Sequence, residues 1–141
     1  MIQDLQLGRP ATSLWFVISG EPIAKERPRF AGRRTFTPKK TADSQQRIQW
    51  ELRAMFPRLK SDGDHQWGVR ALFYCLKPEQ RDGDNMFKHI LDSLQGEAGI
   101  WMNDRQVKEG YFRVLSAKFC TENTPQVGRP RTEVLAYYLE S

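Results

Sequence analysis

One stretch of this chain combines four carboxylates and a lysine at spacings that suit metal-assisted phosphoryl chemistry. Asp82 and Asp84 stand two residues apart at the start of a helical pattern that also carries Lys88 and Asp92, and Asp104 follows a short apolar connection. Mg²⁺ prefers oxygen ligands and is usually held by a few carboxylates together with phosphate oxygens and water. The stretch therefore predicts a Mg²⁺ site that acts on a phosphate.

The predicted helix brings three of these side chains to one edge. Asp84, Lys88 and Asp92 are at positions i, i+4 and i+8, which adjoin on a helix surface. A structural role is the main alternative, because an Asp just before a helix, such as Asp84, is a favoured N-cap and suits the helix dipole. An EF-hand is excluded, since Phe87 stands where the calcium loop needs glycine and Ser93 where it needs glutamate. Asp92 is expected to support the site from behind the metal ligands.

The third acidic position depends on the connection after the helix. We expect Gly99–Met102 to bring Asp104 back to the end of the sheet where the other two aspartates lie. Asp62 and Asp64 repeat the same two-residue spacing, but no further ligands follow them, and we interpret them as a turn. The two histidines form no recognisable metal pair and are given no role.

A local excess of positive charge indicates the kind of partner. The chain has a formal net charge of +5, and residues 21–40 carry seven basic against two acidic side chains, so seven minus two accounts for the whole excess. Such a cluster favours a polyanion, although a basic run by itself is more often only a solvated loop. The predicted phosphate-binding residues are Lys25, Arg27, Arg29, Arg33, Arg34, Lys39 and Lys40.

Length and composition are those of one soluble domain. The chain has 141 residues, of which 39% are hydrophobic and 28% charged. No apolar stretch approaches the roughly 18 residues of a membrane span, and the N-terminus lacks a signal-peptide core. Two cysteines are too few for a disulfide framework and are expected to be buried, reduced thiols. We expect a cytoplasmic protein with no membrane partner, a flexible tail over residues 1–13 and a single domain over residues 14–141.

The hydrophobic pattern predicts a small α+β domain with a mixed or antiparallel sheet of about four strands and two helices. The helices are predicted to start at Pro38, with Thr37 as N-cap, and to cover about Asn85 to Leu94. The basic segment before the first helix is predicted to be a loop, because proline and glycine interrupt it. Strands are predicted over residues 14–18, 67–76, 107–119 and 132–139.

Helical spacing also predicts which side chains the helices bury. Apolar residues at i, i+4, i+7 and i+8 give the first helix a core face of Ile48, Leu52, Met55 and Phe56. His89 is expected at the surface of the second helix. The core face of that helix is predicted to comprise Phe87, Ile90, Leu91 and Leu94.

The ordered motifs resemble those of the RusA family of Holliday-junction resolvases, which bacteria and their phages encode and which act in DNA recombination and repair. The resemblance runs from about Ile18 to Val107. An Asp-x-Asp pair is weak evidence by itself, whereas the full ordered set is specific. The set comprises Gly20-Glu21-Pro22, Arg27-Pro28-Arg29, Phe36-Thr37-Pro38, Asp82-Gly83-Asp84-Asn85, Lys88, Asp92 and Trp101-Met102-Asn103-Asp104-Arg105-Gln106-Val107.

The resemblance implies a RusA-like fold and a homodimeric, Mg²⁺-dependent endodeoxyribonuclease in which Mn²⁺ can substitute. Such an enzyme cuts four-way DNA junctions by paired symmetric nicks. Asp82, Asp84 and Asp104 correspond to the metal-binding carboxylates of the family, and Lys88 corresponds to its active-site lysine. With no Ser, Cys or His placed as a nucleophile, water is expected to attack the phosphodiester directly. The basic segment would hold the DNA backbone.

Two positions depart from the family pattern. Asn103 stands where an aspartate usually precedes Asp104, and Val114 stands where the following strand usually carries a lysine, with Arg113 and Lys118 nearby. Two other functions remain open at this point. One is a DNA-binding module whose acidic cluster is structural, and the other is a metal nuclease that acts on RNA or on another branched substrate.

Overall fold

The computed structural model describes residues 13–24, 29–31, 34–36, 39–118 and 128–139, and only the backbone of residues 29–31 and 34–36. Two single-turn 3-10 helices, Pro78–Gln80 and Asp104–Gln106, precede the second α-helix and the fifth strand respectively. The helices are α1 (Lys39–Met55) and α2 (Gly83–Ser93). The strands are β1 (Ser13–Ser19), β2 (Arg29–Ala31), β3 (Arg34–Phe36), β4 (Trp67–Cys75), β5 (Val107–Ser116) and β6 (Arg131–Tyr138).

The predicted α+β class, with a four-stranded mixed sheet and two helices, is confirmed. One local prediction was wrong, because β2 and β3 form an antiparallel pair within the basic segment that was predicted to be a loop. Strands of three residues are too short for an alternating pattern to appear in the sequence. The predicted cap Thr37, the following Pro38, the second cysteine Cys120 and most of the predicted tail lie outside the described residues.

The sheet has the strand order β1-β6-β4-β5. β6 pairs antiparallel with both β1 and β4, whereas β4 and β5 are parallel. Two parallel neighbours need a crossover, and α2 provides it by returning from the end of β4 toward its beginning. The N-terminus of α2 therefore lies at the end where β4 and β5 finish, and its C-terminus lies where both strands begin.

The two helices cover one face of this sheet and enclose the core. Alternate residues of β1, such as Leu14 and Phe16, point toward the helices and are buried. The predicted core face of α1 is confirmed at Ile48, Leu52 and Phe56, but Met55 is 40% exposed. The predicted core face of α2 is confirmed at Ile90 and Leu94, whereas Phe87 and Leu91 are only partly buried. The helix also buries Met86, His89 and Ser93, which were not predicted.

Contacts between α2 and α1 account for the buried polar residues of α2. The Ser44 hydroxyl of α1 lies 2.9 Å from His89 Nε2, and Ser93 Oγ donates to the His89 carbonyl at 2.6 Å. A buried polar side chain is tolerated when it is hydrogen-bonded. His89 was therefore wrongly expected at the surface, because its partner comes from a helix that is 45 positions away in sequence.

The connection from α2 to β5 is held in place by Arg53 of α1. Its guanidinium donates to the carbonyls of Leu59, Glu97, Ala98 and Gly99. Gly96 adopts a φ of 94°, a conformation that side chains disfavour, and its N–H donates to the Trp101 carbonyl at 2.9 Å. The turn that carries Asp104 is thus anchored to the rest of the domain. Among the described helices, none is long and apolar enough to cross a membrane.

Candidate active site

Asp82 defines the start of α2. Its backbone is extended and its carboxylate caps the helix by accepting the Asn85 N–H at 3.4 Å and the Asn85 side-chain amide at 2.7 Å. Capping had been weighed for Asp84, but the helix begins two residues earlier than predicted, and Asp84 occupies its first turn. Asp82 and Asp84 are both exposed. Two carboxylates with accessible oxygens therefore stand side by side at a helix N-terminus.

Lys88 lies one turn along the same helix edge. Its ammonium group is 3.4 Å from Asp84 Oδ2, as the i, i+4 spacing predicted. An exposed ion pair of this kind contributes little to stability, on the order of 0.3–0.5 kcal/mol. The arrangement leaves the lysine accessible to a phosphate that approaches the carboxylates. Asp92 follows a further turn along and is half-buried.

Glu21 links the basic segment to the acidic turn. Its carboxylate accepts from the Arg81 guanidinium at 2.7 Å and from the Leu76 backbone N–H at 3.4 Å. Arg81 directly precedes Asp82, so this contact helps to fix the approach to α2. Sequence reasoning gave neither side chain a role, because sixty positions separate them and no periodic pattern connects them.

Asp104 lies at the opposite end of α2. Its backbone N–H donates to the Gln95 side chain at 3.1 Å, next to the helix C-terminus. From Asp84 to Ser93, the last residue of α2, is nine residues, or about 14 Å of helix at 1.5 Å per residue. The prediction that the connection would return Asp104 to the other aspartates is wrong within one chain. Because β5 runs parallel to β4, the residue before β5 must lie where β4 begins.

The described part of one chain accordingly holds no group of three His, Cys, Asp or Glu side chains that could share a metal ion. The donors at Asp82 and Asp84 are nonetheless hard, exposed oxygens, which suit Mg²⁺ or Mn²⁺. Two carboxylates are a sufficient protein contribution to a Mg²⁺ site that is completed by water and phosphate. The acidic turn therefore fits such an ion, whereas Asp104 of the same chain does not reach it.

Comparison with known families identifies the chain. The sequence model described as Endodeoxyribonuclease RusA matches residues 19–134. The chain belongs to the RusA endodeoxyribonuclease family. Its members hydrolyse phosphodiester bonds in DNA, and the family indicates the Holliday junction as the substrate and a divalent metal as the cofactor. No curated protein sequence matches this chain at a significant level.

The structure accounts for the departure from the RusA pattern at Asn103. Its side-chain oxygen accepts the Arg105 N–H at 2.9 Å, while the Gln106 side chain accepts the Asn103 N–H at 3.0 Å. This capping box holds the 3-10 turn that carries Asp104. Asparagine caps a helix as well as aspartate does, so the substitution preserves the turn.

The second departure from the RusA pattern, Val114, lies beside the acidic turn. A Cβ added to Gly83 would stand 2.4 Å from Phe112 Cε1 and 2.8 Å from Val114 Cγ2, so this turn presses directly on β5. Successive residues of a strand face opposite sides, and Arg113 therefore points away from the turn. Lys118 is exposed in the turn after β5. Position 114 thus contributes an apolar contact here, and Arg113 does not take over the role of a lysine there.

The predicted DNA-binding residues are only partly described. Lys25, Arg27 and Arg33 lie outside the described residues, and Arg29 and Arg34 are known only as backbone positions in β2 and β3. Lys39 and Lys40 are exposed in the first turn of α1, which has no acidic residue. They line an open groove together with Ile23, Asp43, Ser44 and Arg47.

This basic start of α1 has an electrostatic consequence for RusA-type DNA binding. Cations at a helix N-terminus oppose the helix dipole, and acidic residues are the usual choice there. A bound phosphate would relieve this unfavourable arrangement, because it neutralises the lysines and accepts hydrogen bonds from the first helical N–H groups. Arg47, to which no role was assigned from the sequence, adds a third cation to the groove.

Proposed function

We propose that this RusA-family enzyme is a Mg²⁺-dependent homodimer that resolves four-way DNA junctions by paired symmetric nicks, with Mn²⁺ able to substitute. The observation that carries the proposal is the pair of exposed carboxylates at the start of α2, with Lys88 one turn away. The basic first turn of α1 supports DNA as the substrate, since Lys39 and Lys40 suit a phosphate backbone.

In this proposal each side chain at the acidic turn has a distinct task. Asp82 and Asp84 hold the metal, and the chemistry that Mg²⁺ supplies in such sites is Lewis-acid stabilisation of the charge that develops on a phosphate. Lys88 offsets further charge on the non-bridging oxygens. Water is the nucleophile, because the nearest described thiol, Cys75, is fully buried and burial raises its pKa to about 11.

A second copy of the chain would complete the site. β5 pairs with β4 on one side, and its other edge carries no strand among the described residues. Tyr111 and Phe112 on this strand are 52% and 38% exposed. An open edge of this length, with exposed aromatic side chains, is a ready surface for pairing with another strand. We therefore propose that β5 of one copy pairs antiparallel with β5 of the other.

This pairing would bring Asp104 of one copy to Asp82 and Asp84 of the other. A two-fold axis perpendicular to the sheet near the middle of β5 keeps the helices of both copies on the same face and sets the start of one β5 beside the end of the other. Asp104 precedes the start of its strand, whereas Gly83 packs against Phe112 and Val114 near the end. Asp104 of one copy would then join Asp82 and Asp84 of the other, giving two equivalent sites for two symmetric cuts.

Cleavage of a labelled mobile four-way junction tests the proposed function. Wild-type enzyme should give paired symmetric nicks with Mg²⁺ and none with the metal removed, while Asp82→Asn and Asp104→Asn should each bind the junction without cutting it. An RNA or flap substrate cut in preference to the junction, or cutting without divalent metal, would contradict the proposal. Junction binding with no cutting by the wild type would instead favour a DNA-binding module.

Mixing the two inactive variants tests the shared site. In a mixed dimer, one site combines intact Asp82 and Asp84 from one copy with intact Asp104 from the other, whereas the second site lacks both Asp82 and Asp104. We expect the mixture to regain single-strand nicking without paired cuts. If each site were built from one chain, every site in the mixture would be defective and no cutting would return.

A further inference from the structure

A second group of chemically capable side chains lies where β4 begins. The Asp62 carboxylate accepts four hydrogen bonds, from the backbone N–H groups of Asp64 and His65 at 3.3 and 3.0 Å, from His65 Nδ1 at 2.8 Å and from Trp67 Nε1 at 3.0 Å. From their spacing alone, Asp62 and Asp64 were interpreted as a simple turn. The structure makes Asp62 the fixed partner of a histidine.

The hydrogen bond to Asp62 sets the proton arrangement of the imidazole. A carboxylate only accepts hydrogen bonds, so Nδ1 must carry the proton and the neutral ring has its lone pair on Nε2. Although burial opposes ionisation, the hydrogen bonds from His65 and Trp67 hold the pKa of Asp62 below its ordinary value of 3.8. Asp62 therefore stays charged at neutral pH and can stabilise a positive charge on His65.

The ring of His65 is also held in position. It stacks on Tyr138 with centroids 4.3 Å apart and an interplanar angle of 9°, and Tyr138 packs edge-on against Trp67. Asp62 is 13% exposed, whereas the His65 side chain is 47% exposed. Within the described part of the chain, Nε2 has no hydrogen-bond partner. An imidazole fixed at Nδ1 and on one face thus offers Nε2 to solvent.

This pair is attached to the turn that carries Asp104. Gln106 lies in the same 3-10 turn as Asp104, and its side-chain amide donates to the carbonyls of Asp62 at 2.9 Å and His65 at 3.0 Å. A phosphate bound at Asp104 would therefore lie next to the loop that carries His65, whichever copy of the chain supplied the other carboxylates.

We propose that His65 is the proton acceptor for the water that attacks the scissile phosphate, with Asp62 as its positioning residue. As the bond between the water oxygen and phosphorus forms, Nε2 takes the water proton. The bond from phosphorus to the leaving sugar oxygen breaks with its electron pair, and that oxygen takes a proton from solvent. The imidazolium, stabilised by Asp62, then returns its proton to solvent. The inference rests on the proposed function at one point, that Asp104 meets the reacting phosphate.

The competing explanation is that the pair only fixes the loop of residues 62–66. Single-turnover cleavage of a four-way junction between pH 5.5 and 9 distinguishes this structural role from the proposed role as proton acceptor. Junction binding is measured in Ca²⁺, and thermal unfolding is followed in parallel. The titratable groups that contact His65 are Asp62, which is hydrogen-bonded to its Nδ1 and its backbone N–H, and Tyr138 of β6, which stacks on its ring. None of these is altered in a His65 variant.

We expect His65→Ala to cut about 10²–10⁴-fold more slowly, the usual contribution of a general base, while binding the junction normally. Added imidazole should restore part of the rate. His65→Asn keeps a donor for Asp62 but lacks the base, so it should fold normally, cut slowly and lose the acidic limb of the pH–rate profile. Asp64→Asn is the matched control, because its side chain is outside the network, and should cut at the wild-type rate.

Three results would overturn the inference. In the first, the His65 variants cut within threefold of the wild-type rate. In the second, they cut slowly only because they no longer bind the junction. In the third, both variants cut slowly, but imidazole has no effect on the rate and the pH–rate profile is unchanged. These outcomes differ from failure of the proposed function. If the wild type itself does not cut the junction, both proposals fall, whereas wild-type cutting with unaffected variants overturns only the role of His65.

Discussion

Asp82 has two separable tasks in this structure, and a pair of substitutions distinguishes them. It caps α2 through two hydrogen bonds to Asn85, at 3.4 and 2.7 Å, and it is proposed to bind the metal. Asp82→Asn keeps an oxygen for the Asn85 N–H, and a flip of the Asn85 amide restores the second bond. Asp82→Ala removes both bonds and the charge. The alanine variant therefore loses cap and ligand, whereas the asparagine variant loses only the ligand.

The expected magnitudes follow from the geometry. Loss of an aspartate N-cap costs about 0.5–2 kcal/mol, and a middle value of about 1 kcal/mol suits two hydrogen bonds at an exposed position. With an unfolding entropy near 2.1 cal/mol/K per residue over this chain, about 1 kcal/mol lowers Tm by roughly 3 °C. Asp82→Asn should stay within about 1 °C of the wild type. Both variants should lose more than about 100-fold in cleavage, because even changes behind a metal ligand cost about 10–100-fold.

Thermal unfolding and single-turnover cleavage of the junction, measured on the same preparations, test this reasoning. Asp84→Asn is a useful companion, since it removes a proposed ligand that does not cap the helix and should leave Tm nearly unchanged. Wild-type cleavage by Asp82→Asn would refute the metal role and leave Asp82 as a cap alone. Equal loss of Tm in the asparagine and alanine variants would refute the capping argument.

Three further predictions concern packing and the buried thiol. Gly83→Ala should destabilise the domain by about 1–3 kcal/mol in urea unfolding, because its Cβ would overlap Phe112 and Val114, whereas Gly63→Ala, where the nearest atom is 3.5 Å away, should be close to neutral. Leu52→Ala should cost about 2–5 kcal/mol in the same assay, since this side chain is fully buried between α1 and the sheet, and a loss below 1 kcal/mol would contradict that placement. In a Cys120→Ser background, Cys75 should resist thiol reagents at pH 8 until the protein unfolds, because burial raises its pKa from 9.0 to about 11. Rapid labelling of the native state at pH 8 would contradict this burial. Because the thiol ionises at a lower pH in the unfolded state, the stability that Cys75 contributes should be lost as pH rises from 9.0 to about 11.

Features confined to a few neighbouring residues could be predicted from the sequence. The i, i+4 contact between Asp84 and Lys88 depends only on the geometry of one helix, and it was correctly predicted. The four strands of the main sheet were also found within a few residues, because alternation and β-branched runs are local signals. The buried face of α2 was predicted only in part, at Ile90 and Leu94, because this helix packs against α1 as well as against the sheet. Contact with α1 through Ser44 drew His89 inward, although the apolar pattern alone had favoured Phe87 and Leu91.

The sequence by itself determined the class of the domain, the family motifs and the residue types of the acidic turn. The tertiary structure alone decided which of those residues can meet. Asp84 and Asp104 lie at opposite ends of a helix segment about 14 Å long, because the parallel pairing of β4 and β5 places the residue after β4 and the residue before β5 at opposite ends of the sheet. The contacts of Glu21 with Arg81, and of Gln106 with the loop of Asp62 and His65, likewise join segments more than forty positions apart. Such contacts depend on strand order and register, for which no local pattern in the chain carries information.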